Sequence, residues 1–297
     1  MSVSPPAPRA SDHLVLPVVD LATARSRLSD LGFSVAPEAL HPFGTENACV
    51  FFADGGYLEP LAVASREDCE AAAKAGNVFV ARDQAFRFRC GEGLSAIVAA
   101  SADAADDHAR YGREGFSAGD MLSFARPMRL PDGSEQMAAF DLAFAADLRA
   151  PDFFLFSCQR RNTLPVDRAS LTTHANGATG LSSVVICEEN PSDFQYLLEL
   201  VFDQRDVAAH SFGIEIQVAN GRIEVLTPAG LQGFYGLSGD TTERGLRGRV
   251  VVMRVADRGV TEKLLADKGV AFNVVANRLV VPPQPGQGVA FAFEETA

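Results

Sequence analysis

The chain has 297 residues, with 26 Lys and Arg against 38 Asp and Glu, for a formal net charge of −12. At 47% apolar and 22% charged residues it has the composition of a globular protein able to bury a large core, which excludes global disorder and a collagen-like fibre. The acidic surface repels phosphate backbones and anionic lipid, and no charge-free apolar run nears the ~18 residues of a spanning helix, so neither nucleic acid nor membrane is an expected partner.

The chain opens on MSVSPPAPRAS, without the basic start and apolar stretch of a secretory signal. Its prolines make residues 1–11 an expected disordered tail on a cytoplasmic protein. The five cysteines, Cys49, Cys69, Cys90, Cys158 and Cys187, are odd in number, scattered and free of any CxxC pair. They read as small hydrophobes in a reducing compartment rather than a disulfide framework or structural zinc site.

From residue 13 onward one pattern occurs four times: an apolar strand, an acidic residue, a helix, then a glycine or valine followed by a hydrophobe. The copies begin at His13, Ala96, Ser182 and Val250 and align without a gap, placing Asp20, Asp103, Glu189 and Asp257 together at the expected helix starts. An acidic side chain there meets unpaired N–H groups and the positive end of the helix dipole. Gly32, Gly115 and Gly269 stand where a helix needs a left-handed residue to end. Each helix is followed by further strands with turn signals such as Asp54-Gly55-Gly56, Pro131-Asp132-Gly133 and Asn220-Gly221. The second strand of each unit is the faintest. REDCEAAAKAGN, from Arg66, reads as a short bridging helix.

The expected fold is therefore α+β: four β-α-β-β-β modules paired into two curled, cup-like mixed-sheet domains. The first domain spans 12–160, with modules 12–64 and 94–159; 161–179 is a linker; the second spans 180–297, with modules 180–228 and 246–294.

Asp12-His13, Asp20-Leu21, Gly44-Thr45-Glu46-Asn47, Gly56-Tyr57-Leu58-Glu59 and His174-Ala175-Asn176-Gly177-Ala178, set on four such modules, resemble the vicinal oxygen chelate superfamily and its glyoxalase-like domain proteins. The resemblance runs from about residue 12 to 294. It implies paired modules forming a cup with a divalent metal (Mn, Fe, Ni or Zn) on its floor, held by His or Glu from the first and last strands of each unit. It implies a small oxygen-rich substrate for a lyase, isomerase or dioxygenase, or else a small-molecule binder of the bleomycin-resistance type. Homodimers occur in such families. A superfold by itself does not fix an activity.

The residues narrow these options. Strand alternation puts His13, Val15 and Pro17 on one face and Tyr57, Glu59 and Leu61 on one face, so His13 and Glu59 are candidate metal ligands and Glu59 a candidate base. His13 reads equally as a hydrogen-bonded core histidine, and Glu59 as an outward ion pair. At the site equivalent to His13 the other modules carry Ala96, Ser182 and Val250; at that equivalent to Glu59 they carry Phe154 or Leu155, then Glu224, then about Phe291. Two ligands are too few for a metal. Two arrangements supply a third, Glu224 if module one pairs with module three or His174 if it folds back; otherwise the cup is metal-free or degenerate. Candidate substrate contacts are His41, Asn47, Tyr57, Arg126 (as a carboxylate anchor) and His174, each with an ordinary structural alternative. His108 reads as exposed and His210 as a loop residue. Nucleotide-binding and hydrolase motifs are absent, so no nucleotide cofactor is expected.

Overall fold

Strand-forming runs of β-branched residues and amphipathic helices alternate through the computed structural model, which describes residues 7–129, 135–162, 169–239 and 244–295. Module one holds β1 (Ser11–Pro17), α1 (Leu21–Asp30), β2 (Ala39–Leu40), β3 (Thr45–Asn47), β4 (Val50–Phe51) and β5 (Tyr57–Val63). Two helices follow, α2 (Arg66–Lys74) and α3 (Val78–Cys90). Module two holds β6 (Ala96–Ala100), α4 (Ala104–Arg113), β7 (Leu122–Arg129), β8 (Glu135–Ala145) and β9 (Phe154–Arg160). Module three holds β10 (Ala178–Cys187), a 3-10 turn leading into α5 (Gln195–Phe202), then β11 (Val207–His210), β12 (Gly213–Val218) and β13 (Gly221–Leu226). After α6 (Pro228–Tyr235), module four holds β14 (Arg247–Val255), α7 (Arg258–Asp267), β15 (Asn273–Val275), β16 (Arg278–Val281) and β17 (Ala290–Glu295).

The chain is thus α+β, built from four β-α-β-β-β modules. Asp20, Asp103 and Asp257 each accept hydrogen bonds from first-turn N–H groups of α1, α4 and α7. Gly32, Gly115 and Gly269 follow those helices with φ of +85°, +78° and +65°. The third module differs: Asn190 precedes Pro191, makes no side-chain capping bond, and Glu189 is left exposed. Two helices, α3 and α6, escape a periodicity reading. In α3 the start Val78-Phe79-Val80 looks like a strand, but Asn77 caps it by accepting from the Val80 N–H. Thr45–Asn47 is a strand that pairs antiparallel with β5. The Pro131-Asp132-Gly133 turn lies outside the described residues.

The strands form two mixed sheets, ordered β2-β3-β5-β1-β6-β9-β8-β7, with β4 also on β5, and β11-β12-β13-β10-β14-β17-β16-β15. Within each module the first and last strands run parallel: β1 with β5, β6 with β9, β10 with β13, β14 with β17. Modules join antiparallel through β1 with β6 and β10 with β14, so they pair in tandem. The pairing of module one with module three does not occur.

One face of each sheet packs with the helices into a shared core that takes Leu14, Leu16, Leu28 and Tyr111 from the first half and Val184, Ile186, Val251 and Leu265 from the second. Phe33 reaches across to Phe291 and Phe293, with ring centroids 6.1 and 6.0 Å apart. The opposite faces carry separate apolar clusters, one around Val15, Val98 and Phe156 and one around Val185, Val252 and Ala292. Of the expected tail, residues 1–6 lie outside the described residues. Arg9 binds Asp107 and Asp203, and Ser11 opens β1. Of the expected linker, residues 163–168 lie outside the described residues. Among the described residues no cysteine is in a disulfide and only Cys90 is exposed, and no helix is long and apolar enough to cross a membrane.

Candidate functional site

The concave face of the first sheet holds a cavity of about 420 Å³. Its floor comes from the central parallel pair. The β1/β5 register sets His13 against Tyr57 and Val15 against Glu59, and alternation sends His13 and Glu59 to the same surface. His13 Nε2 lies 3.4 Å from Glu59 Oε2, and the two residues are 4% and 5% exposed. Burying two ionisable groups inside apolar walls is costly unless their polar atoms are satisfied, and here they are. His13 Nδ1 bonds Asp12 Oδ1 at 2.7 Å. Asp12 in turn takes both terminal nitrogens of Arg160, at 2.8 and 2.9 Å. Glu59 Oε1 accepts from Asn47 Nδ2 at 2.6 Å. Tyr57 stacks on the His13 ring at 4.5 Å, and Arg160 covers its ring at 5.9 Å.

His41 enters from the β2–β3 corner. Its Nδ1 lies 2.9 Å from Thr45 Oγ1 and its Nε2 lies 3.4 Å from Asn47 Nδ2 and 3.8 Å from Glu59 Oε1. These contacts fit a neutral imidazole that donates from Nδ1 and accepts at Nε2. Burial pushes its pKa down to about 4. For His13 burial works in the same direction, but the hydrogen bonds and charges of Asp12 and Glu59 outweigh it and hold the pKa above its ordinary 6.5. Burial would raise the Glu59 carboxyl; the His13 bond and charge, His41 and the Asn47 amide instead bring it down to about 2. The floor thus favours the charged forms of His13 and Glu59, each stabilised by the other, with a neutral His41 imidazole beside them.

The walls are mostly aromatic. The β7/β8 hairpin supplies Phe124, Arg126, Phe140 and Leu142, with Phe124 opposite Phe140. Phe43 stacks on His41 at 5.1 Å, and Phe79 from α3 and Phe156 from β9 complete the lining with Cys158. Arg126 Nε is buried without a hydrogen-bond partner, an orphaned donor facing a cavity.

The structure thus gathers His13, His41, Asn47, Tyr57, Glu59 and Arg126 in one place. It does not bring Glu224 or His174 there. Glu224 lies in the second sheet, bound to Arg222 at 3.0 Å and accepting from Tyr235 Oη at 3.3 Å, so its expected partnership with His13 and Glu59 is corrected by the tandem pairing of modules. Tyr235 on α6 fills that second cup. His174 is a junction residue: Nδ1 accepts from the Ser34 N–H at 3.0 Å and Nε2 bonds Phe51 O at 2.9 Å. The register also moves three expected equivalences: Ser183, opposite Arg222, rather than Ser182 matches His13 in module three. Val98 pairs with Phe156, making Phe156 the counterpart of Glu59 in module two, and in module four Ala292 faces the cup while Phe291 faces the shared core. Asp12 and Arg160, which set the charge of His13, carry no signal in the sequence beyond Asp12 preceding His13. Phe156 and Cys158 reach the cavity by alternation along β9, and Phe79 was hidden with its helix.

A glyoxalase-like domain model matches residues 11–202. The chain belongs to the glyoxalase-like domain family, within the vicinal oxygen chelate superfamily. No curated protein sequence matches it significantly. Among solved structures, this glyoxalase-like protein is similar to a hypothetical protein from Staphylococcus aureus (12% identity, 96% of this chain and 99% of that one, TM-score 0.66). A mutant 4-hydroxymandelate synthase from Streptomyces coelicolor also matches (15%, 98% and 93%, 0.62). So does the Mn(II)-bound glyoxalase from Novosphingobium aromaticivorans (10%, 97% and 83%, 0.52). At such identities the likeness shows the fold. The residues present do not fit a divalent metal such as the Mn(II) bound by the last of these. Among the described residues no three His, Cys, Asp or Glu side chains are arranged to hold an ion, and module two offers Ala96 and Phe156 where module one has His13 and Glu59. The donor atoms of His13 and Glu59 are engaged with Asp12, Asn47 and each other.

Proposed function

We infer that the first cup is the active site of a glyoxalase-like enzyme that moves a proton on a small oxygen-rich acid. The observation carrying this reading is the buried His13–Glu59 pair at the floor of an aromatic cavity, with Arg126 orphaned at its side. Arg126 suits a carboxylate, which a guanidinium can grip with two parallel bonds. The phenylalanine walls take the carbon skeleton. The His13 Nε2–H donates to a carbonyl or hydroxyl oxygen and polarises it. Glu59 at a pKa of about 2 is a weak base. A substrate oxygen that takes over the His13 Nε2–H removes the bond that holds Glu59 so low, and the carboxylate then rises toward the range in which it can accept a proton. Glu59 is the proton acceptor and His13 the donor in a lyase- or isomerase-type step. No step here runs through a metal.

The test is a screen of 2-oxo and 2-hydroxy acids by thermal shift, with products read by mass spectrometry. Glu59→Gln is expected to retain binding and lose about a hundredfold or more in turnover. Arg126→Gln is expected to lose binding of carboxylates selectively. Turnover that survives Glu59→Gln overturns the assignment. The apolar wall also favours a second reading, a resistance-type binder on the same fold. Ligands that saturate the cup with no product under any condition would select it.

A further inference from the structure

Away from the first cup, a larger groove of about 1080 Å³ opens between the two halves. It is lined by the end of α3, the loop before β6, the start of β14 and the loop before β17. Three arginines converge on it, Arg89, Arg247 and Arg249, on a chain whose net charge is −12. Asp152 accounts for two of them. Its Oδ1 is ion-paired with Arg89 and its Oδ2 accepts from Arg247 at 2.9 Å. Asp152, its side chain almost wholly buried, is thus paired with Arg89 and Arg247. Glu92, the other carboxylate in the lining, accepts from the backbone N–H groups of Val19 and Gly286.

Arg249 is the remainder. Val185 pairs with Val250 while the next residue, Ile186, pairs with Gly248, so Arg249 is the extra residue of a bulge in β14. Bulges re-aim side chains at the cost of a broken ladder. Its Nε is buried and has no hydrogen-bond partner. A guanidinium nitrogen without an acceptor is an unmet demand of the kind a ligand oxygen satisfies. The α3 C-terminus turns its carbonyl ends toward this region and disfavours an anion there, which leaves the β14 side as the place where one is held.

The geometry points to a second binding site, in which Arg249, with Arg247 beside it, takes a small anion carrying two or more negative charges, of the phosphate or carboxylate type. This site is independent of the reading of the first cup. Its test uses the full chain, titrated with inorganic pyrophosphate and with citrate at constant ionic strength, following thermal stability and heat of binding. The expected result is saturable stabilisation by at least one of the two, weakened about tenfold or more in Arg249→Gln and unchanged in the surface control Arg66→Gln. The anion that saturates identifies the class. Asp152→Asn removes the competing carboxylate and is expected to tighten binding, provided its circular dichroism matches the parent. The proposal is overturned if neither anion gives a saturable effect, or if Arg249→Gln responds as the parent does.

Discussion

An imidazolium and a carboxylate buried side by side stabilise each other's charged forms, and the pH dependence of folding must show it. Glu59 is held at about 2 against an ordinary 4.5, a depressed acid whose contribution is present above pH 4.5 and is lost as pH falls toward 2. His13 is raised above 6.5, so its contribution is full below 6.5 and is lost as pH rises through its folded value. The stability difference between the parent and Glu59→Gln should therefore be largest between pH 4.5 and 6.5 and shrink on both sides. Its size there is on the order of 2 kcal/mol, because the substitution strands His13 with Asp12 as its only counter-charge. Urea midpoints measured from pH 3 to 8 give the profile, and a flat difference would sink the argument. Strand alternation gave His13 and Glu59 each a face within its own strand, and the β1/β5 register brings the two faces together. The relay through Asp12 to Arg160 was not legible, because 148 residues separate the two partners and only the β1–β6–β9 order brings them together.

At the scale of elements, the modules repeat because each solves one problem, starting a helix directly after a buried strand. Asp103 and Asp257 solve it with a side chain that accepts two N–H groups of the first turn. The gapless repeat puts Glu189 at the same point, yet that residue is exposed, and Pro191 starts the turn without a side-chain cap. Asp103→Ala and Asp257→Ala are each expected to cost about 1 kcal/mol, the usual worth of a cap. Glu189→Ala should change stability by less than about 0.5 kcal/mol. Equal losses at all three positions in urea denaturation would contradict the capping geometry. The same contrast shows what a repeat can disclose. It identified the four modules because strand, cap and helix are local signals. It gave no notice of α3 or α6, which stand outside the repeat. Those two helices cover the cups: Phe79 from α3 lines the first, and Tyr235 from α6 fills the second.

The two halves share one core, and this governs how the whole molecule unfolds. Phe33 from module one stacks on Phe293 of module four, and Leu28, Val184 and Val251 belong to the same cluster. Around that core Arg9 and Arg110 bridge Asp107 on α4 to Asp203 beyond α5. The tightest polar joint is Asn176, which is wholly buried. Its Nδ2 donates to Leu31 O at 2.8 Å, its Oδ1 accepts from the Ala178 N–H at 3.0 Å, and its backbone O accepts from Thr261 Oγ1 at 2.7 Å. Gly32 has to be glycine beside it: φ is +85°, and a Cβ would lie 2.9 Å from the Asn176 Cβ. Asn176→Ala leaves the Leu31 carbonyl and the Ala178 amide buried without partners and should cost about 3 kcal/mol. Because the apolar core stays continuous, the loss should lower stability without separating the halves. The four tyrosines report on this, Tyr57 and Tyr111 in the first half and Tyr196 and Tyr235 in the second. Fluorine resonances of 3-fluorotyrosine-labelled protein, followed through a urea titration, should all share one midpoint in the parent and one lower midpoint in Asn176→Ala. If the first pair and the second pair melt apart in the parent, the halves are independent domains and the shared core does not couple them.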